Sequence, residues 1–399
     1  VKEEVGLLAW AALSLATLVG GVPDNGADRL YFSGIARDTW RNIASMVCPD
    51  TGLPYDNSEK GEFTSVSNIG IYLTSIVAAR ELKLISADEA LKRLRLAVGS
   101  VEKLQTTFGF AQSWNSVRTL RPTTHDPWIS LLDSGNLCAG LITVGQACPD
   151  LRARCRKLVD AMEWGRFWDD GQKALLGGHN PSKREFNKEW RLDALGTDAL
   201  LAQFFAIAAG GAPPSLWTSL RRDKETRHGL SYLWPGWQGG GLFMQYVAGL
   251  WLDLRQTEIG QSARNFALAQ IRHKDAIGAP VWGWSACDDP AGGYLGWGSM
   301  KDSVVTPHAC ALAVESFPTQ TAQNLRRFEE LGVRSPKEGF YDAYDWKTKK
   351  RSQLFLMWDQ GLLFVSLANY LQKGCVRDFF NGDPTVKQGL RRIPGLAPK

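Results

Sequence analysis

Helical periodicity runs through most of this chain and limits what it can become. Apolar residues recur at three- and four-residue steps near 35–47, 65–82, 87–106, 133–147, 150–163, 196–209, 241–253, 257–272, 305–316, 319–331 and 359–372. Val66, Ile69, Leu73, Ile76 and Val77 share one face, as do Leu91, Leu94, Val98 and Val101. The second set follows Ser86-Ala-Asp-Glu89, a capping box in which the Ser hydroxyl takes an orphan amide and the Glu reaches back. Leu362–Leu371 is apolar nearly all round, which predicts burial on both sides. Alternating strand patterns are rare. The helices are joined by short polar or Gly/Pro links, and no Pro/Gly/Ser-rich linker divides the 399 residues. There is no clean repeat, only a helix-pair rhythm of roughly 50–60 residues. Six such pairs close into a ring, an all-α (α/α)6 barrel of about twelve helices with the more apolar helices inside. The alternative is an open helical solenoid. The expected organisation is an N-terminal apolar helix and lead-in over 1–34, the barrel over 35–372, and a C-terminal tail over 373–399.

Charge and cysteine usage exclude several function classes. The net charge of +5 comes from 46 basic and 41 acidic residues, scattered along the chain. The densest basic run, Lys347–Arg351, reads as a solvated turn, so no nucleic-acid partner is expected. Seven cysteines form no CxxC pair and five histidines are dispersed, so neither a metal site nor a cofactor is expected. The odd count leaves at least one free thiol and permits a disulfide that the spacing does not identify. Val5–Val22 carries no charge and reads either as a packed helix or as a membrane anchor or uncleaved signal. Lys2, Glu3 and Glu4 before it do not form the positive region of a signal peptide. A monomer in the periplasm or another extracytoplasmic space is the expectation.

The unusual residues fall at helix starts and in loops. Val281–Gly298, VWGWSACDDPAGGYLGWG, puts three tryptophans and a tyrosine beside two acids among five glycines. A core would not use that much glycine, and a plain loop would not use that much tryptophan. Asp133, Asp198 and Asp359 each open a helix, while Asp288 lies in the glycine-rich stretch. Singly, each reads as a first-turn acid stabilised by orphan amides and the helix dipole. Their separations of 65, 90 and 71 residues match one or one and a half helix pairs, which opens their loops on one face of a barrel. Trp190, Trp234, Trp237, Trp282, Trp284, Trp297, Trp358, Tyr294, Tyr341 and Tyr344 flank the same segments. Flat rings cover the C–H faces of sugars, while carboxylates and amides take their hydroxyls. The expected catalytic set is therefore Asp198, Asp133, Asp288 and Asp359. The expected sugar contacts are Trp237, Gln245, Trp282, Trp284, Asp289, Tyr294, Trp297, Tyr341, Trp358, Asn68 and Asn136. Two carboxyls suffice to cleave a glycosidic bond, one protonating the leaving oxygen and the other activating water or attacking the anomeric carbon.

Five ordered stretches carry a resemblance. TSVSNIGIYLTSIVAARELKLIS, ISLLDSGNLCAGLI, LDALGTDALLAQFFAIAAGGAP, GGGLFMQYVAGLWLDLR and WGWSACDDPAGGY are similar to segments of the glucoamylase-like (α/α)6 domain. That domain occurs in bacterial endo-β-1,2-glucanases and in the transglycosylating part of cyclic β-1,2-glucan synthases. The resemblance spans about Ile35 to Leu371. It implies that Asp198 stands where the family's general acid, a Glu, stands. It also implies that Ala286 replaces the nucleophile expected in the synthases, and that Gln245 replaces another of their Glu residues. What remains resembles an inverting hydrolase, with Asp133, Asp288 and Asp359 as candidates for the base or for holding the sugar. The function so implied is endo-cleavage of a β-glucan or related bacterial polysaccharide. The alternatives are a non-catalytic polysaccharide-binding or biosynthesis-associated protein, and a transglycosylase. The matched motifs leave out loops such as Gly165–Lys188 and Asp223–Gly241, where linkage is chosen.

Overall fold

The structure, a computed structural model, describes residues 26–123 and 127–396. The apolar run Val5–Val22 lies outside them. Fourteen α-helices occur among the described residues: α1 Gly26–Ser45, α2 Val66–Glu81, α3 Ala87–Val101, α4 Leu131–Ala147, α5 Arg152–Asp160, α6 Leu200–Ala208 and α7 Ser215–Ser219, then α8 Leu242–Tyr246, α9 Glu258–Ile277, α10 Pro307–Leu312, α11 Pro318–Glu330, α12 Met357–Leu371, α13 Cys375–Asn381 and α14 Pro384–Arg392. None is long and apolar enough to cross a membrane.

Burial sorts the first twelve into two layers. The even-numbered helices are buried almost all round: every residue of α6 and α10 is buried, and so is every residue of α2 from Val66 to Ala79. The odd-numbered ones bury a single stripe, such as Ala90, Leu94, Ala97, Val98 and Val101 of α3 or Thr321, Ala322, Leu325 and Phe328 of α11. Within the inner layer α2 packs on α4 and α4 on α6, while α8 packs on α10, α10 on α12, and α12 back on α2. Each inner helix follows an outer one in the chain, and the starts of α2, α4, α6, α10 and α12 come near one another through Ser67 and Asp133, Asp133 and Asp198, His308 and Asp359, and Asp56 and Asp359.

Close approach within the inner layer depends on missing side chains. A Cβ on Gly70 of α2 would lie 2.3 Å from the Asn136 carbonyl oxygen, and one on Gly140 of α4 would lie 2.4 Å from that of Gly70. Both obstacles are backbone, which cannot swing aside. Gly70→Ala is therefore expected to destabilise the fold by about 1–3 kcal/mol, read as a lower denaturation midpoint in urea.

Several expectations need correction. The chain is not purely helical: antiparallel hairpins of two to four residues per strand stud the loops. Strands this short carry no readable alternation. Three of them, Phe63–Ser65, Ile129–Ser130 and Val304–Val305, feed directly or within a residue into α2, α4 and α10. The helix expected over 241–253 is five residues of α8 followed by a tight turn over Val247–Leu250. Among the described residues the first helix, Gly26–Ser45, lies partly inside the expected lead-in. Beyond 373 the chain forms α13 and α14, which pack on α4 and α6. Ser86 does accept the Glu89 amide, but the Glu89 carboxylate is held by Arg93 at 2.6 Å. All seven cysteines are buried and free.

Candidate active site

The shared face of the inner N-termini collects the acids. Asp133 is the third residue of α4, Asp359 the third of α12, and Asp198 lies two residues before α6. Asp288 sits on the hairpin Cys287–Asp288/Tyr294–Leu295, in register with Tyr294.

One group gathers around Asp198. The residue is partly open to solvent, while burial of its carboxyl and then the charge of Asp133 push the pKa up to about 7. Asp133 is itself raised by burial, against the pull of Ser67 and Ser130. Its Oδ1 accepts the Ser67 hydroxyl at 2.7 Å, and Ser67 Oγ accepts the Asn136 amide at 3.0 Å. Asn136 thus orients the partner of an acid from a buried position, rather than reaching a sugar itself.

A second group lies under the hairpin. The Asp288 backbone amide donates to Asp342 Oδ2 at 2.6 Å, and the Asp288 carboxylate accepts the Ser352 hydroxyl. Asp288 is partly exposed, and burial raises its pKa against that hydrogen bond. Below it Asp342 and Asp359 are fully buried, and burial drives both upward. His308 Nδ1 stands 3.5 Å from Asp359 Oδ2 and 2.6 Å from Thr306 Oγ1. Asp56 accepts the Asn68 amide at 2.8 Å and adds its charge to the same group. Tyr294 links the two groups. Burial of its phenol, then Asp359, Asp342, Cys287 and Asp198, push its pKa up, although the residue as a whole is 46% exposed. With that much open surface, the acids it faces matter more than the burial.

The sequence-predicted residues separate accordingly. Asp133, Asp198, Asp288 and Tyr294 come together on one open face. Asp359 does not reach it: its residue is 0% exposed, so it supports the floor instead of touching a ligand. Trp282 and Trp284 belong to the core, and the Trp284 indole donates to the Asp302 carbonyl. Gln245 is spent internally, donating to the Leu233 carbonyl and accepting from Ser262. Asp289 holds the hairpin turn by accepting the Ala291 amide at 2.6 Å. Asn68 serves Asp56. Tyr341 stacks on Phe355 beneath Arg351, and Trp358 is packed partly into the core. Trp237 stays open at 48% beside a cavity of about 610 Å³ that Trp234, Trp297, Gln238, Arg227 and Lys301 line. Another cavity, of about 380 Å³, opens at the far ends of α8 and α12. Arg377 there is paired with Glu315 and Arg255 with Asp253, while Arg264 donates to the Ser316 carbonyl, which marks the cavity as a braced seam.

Sequence reading missed Asp342, His308, Asp56, Ser67 and Ser352. Asp342 had a signal. It sits between aromatics in GFYDAYDW, the same pairing of acid and ring that singled out Val281–Gly298.

The comparisons with known proteins bear on the fold. Residues 196–384 match the family described as "Putative glucoamylase", and residues 34–203 match one described as "Protein of unknown function (DUF3131)". The chain is 21% identical over 530 aligned residues to the cyclic β-(1,2)-glucan synthase NdvB of Rhizobium meliloti. That alignment takes in 92% of this chain but 18% of the synthase. Among solved structures, an endo-β-1,2-glucanase from Chitinophaga pinensis, in complex with sophorotriose and glucose, superposes with a TM-score of 0.83 at 19% identity. The match covers 92% of this chain and 98% of that one. A β-1,2-glucanase from Parabacteroides distasonis gives 0.84 at 18% identity, over 93% of this chain and 60% of that one. These likenesses show a fold shared with (α/α)6-barrel proteins. Residues 196–384 of this chain therefore match the glucoamylase-like family, and along nearly its whole length the chain shares the fold of the β-1,2-glucanases.

Proposed function

We propose that the chain is an endo-acting, inverting glycoside hydrolase that cleaves a β-glucan of the β-1,2-linked kind on an (α/α)6 barrel. The observation that carries this reading is Asp198. A carboxyl with a pKa of about 7 is still protonated near neutrality, which a general acid requires. It sits partly open beside a second carboxylate that keeps it protonated. Asp198 donates its proton to the glycosidic oxygen. Asp288, on the hairpin with Tyr294, activates the attacking water, with Ser352 orienting its carboxylate. Tyr294 and Trp237 offer exposed rings to the sugar faces. Ala286 is fully buried where a synthase-type nucleophile would be expected, which supports inversion over glycosyl transfer.

The test is to incubate the protein with linear β-1,2-, β-1,3- and mixed-linkage glucans and follow reducing ends together with the first-formed anomer by proton NMR. The expected result is internal cleavage of the β-1,2-glucan with the α-anomer appearing first. A first-formed β-anomer would move the reading to a retaining transglycosylase. Binding without new reducing ends would make the chain a polysaccharide-binding protein.

A further inference from the structure

We propose that His308, Asp342 and Asp359 bind a divalent transition cation under the floor of the cleft. The three residues come from α10, the loop after Phe340, and α12. One ligand atom from each lies within 4.8 Å of the others. Their residues are 2%, 1% and 0% exposed. Asp342 Oδ1, both Asp359 oxygens and His308 Nε2 have no hydrogen-bond donor within reach, and the two carboxyls face each other so closely that a proton held between them is the alternative to a cation. Among the described residues the only basic group against Asp359 is His308, an imidazole whose Nδ1 lies 3.5 Å from Asp359 Oδ2. Two acids sealed from water without a counter-charge are costly, and a bound cation removes the cost.

The donor set selects the metal. One imidazole nitrogen with carboxylate oxygens suits Mn²⁺ or Zn²⁺ better than Mg²⁺ or Ca²⁺, which favour all-oxygen sites. Thr306 against His308 Nδ1 and the Asp288 amide on Asp342 Oδ2 are the outer contacts that orient such ligands. The cation ties α10 to α12 and, through Asp342, sets the height of the Asp288 hairpin. It lies below the sugar and takes no part in bond cleavage, so the inference stands apart from the glycosidase reading.

The experiment is element analysis of the full chain purified without chelator, followed by thermal unfolding. About one Mn or Zn per chain is expected. Stripping with EDTA is expected to lower the unfolding midpoint by several degrees, and MnCl₂ or ZnCl₂ to restore it. Asp359→Asn is expected to abolish the metal. His273→Ala is expected to keep it, although His273 and His228 form an exposed pair at 3.2 Å that could chelate zinc at the surface. Two outcomes overturn the proposal. One is a metal-free chain whose midpoint ignores both ions, which would mean that Asp342 and Asp359 share a proton instead. The other is metal that leaves with His273. The wild-type titration decides the matter even if Asp359→Asn fails to fold.

Discussion

Asp198→Asn is expected to lower kcat on a β-1,2-glucan by about 10²–10⁴-fold, while oligosaccharide affinity stays within a few-fold of wild type. An amide keeps the shape and much of the hydrogen bonding of the protonated carboxyl but has no proton to give. The same variant is expected to be more stable at alkaline pH. In the native protein the Asp198 pKa of about 7 lies above the ordinary aspartate value near 4, so the folded state holds a proton that the unfolded chain releases. That contribution is fully present below about pH 4 and is lost as pH rises to about 7, costing on the order of 2–4 kcal/mol. Asn does not ionise, so the loss disappears. Kinetics on a homogeneous glucan and melting curves at pH 5 and pH 8 check both halves. Full activity in Asp198→Asn would remove this residue from the chemistry.

The second large effect concerns pH. Activity that needs a protonated Asp198 falls as pH rises through about 7. Asp133→Asn deletes the like charge that helps keep that proton on, so the Asp198 pKa drops and the alkaline limb moves to lower pH. For a drop of about one unit, the ratio of kcat/KM at pH 8 to that at pH 6 is expected to fall about fivefold, because the protonated fraction falls about ninefold at pH 8 and about twofold at pH 6. The acid limb, which belongs to the base, is expected to move less. A limb that stays in place would show that burial alone tunes Asp198. A limb that moves to higher pH would contradict the stated arrangement of the two acids.

Much of the fold was legible because long helices leave a strong mark. The nearly all-buried α12 reads as an apolar run, while α2 and α3 read as stripes, a description that burial bears out for α3 and exceeds for α2. The elements that escaped are short. Helix α8 has five residues before its tight turn, α13 has seven, and most hairpin strands have two, all less than the window over which a period can be recognised. At the site, position along the chain identified the helix-opening acids but not their surroundings. Trp284 and Trp237 share their residue type and both lie near glycine, yet one is wholly in the core and the other is half exposed.

The sequence by itself determined that inner and outer helices alternate, and therefore that acids placed at inner-helix starts meet on one face. Spacing carries that information, because each hairpin returns the chain to the same side. Only the tertiary structure decided which of those acids can touch a ligand. Asp359 occupies the same third helical position as Asp133, but Asp342 and the hairpin above it seal it from water while Asp133 stays partly open. The difference comes from residues far away in the chain, and desolvation by distant neighbours leaves no pattern along the chain.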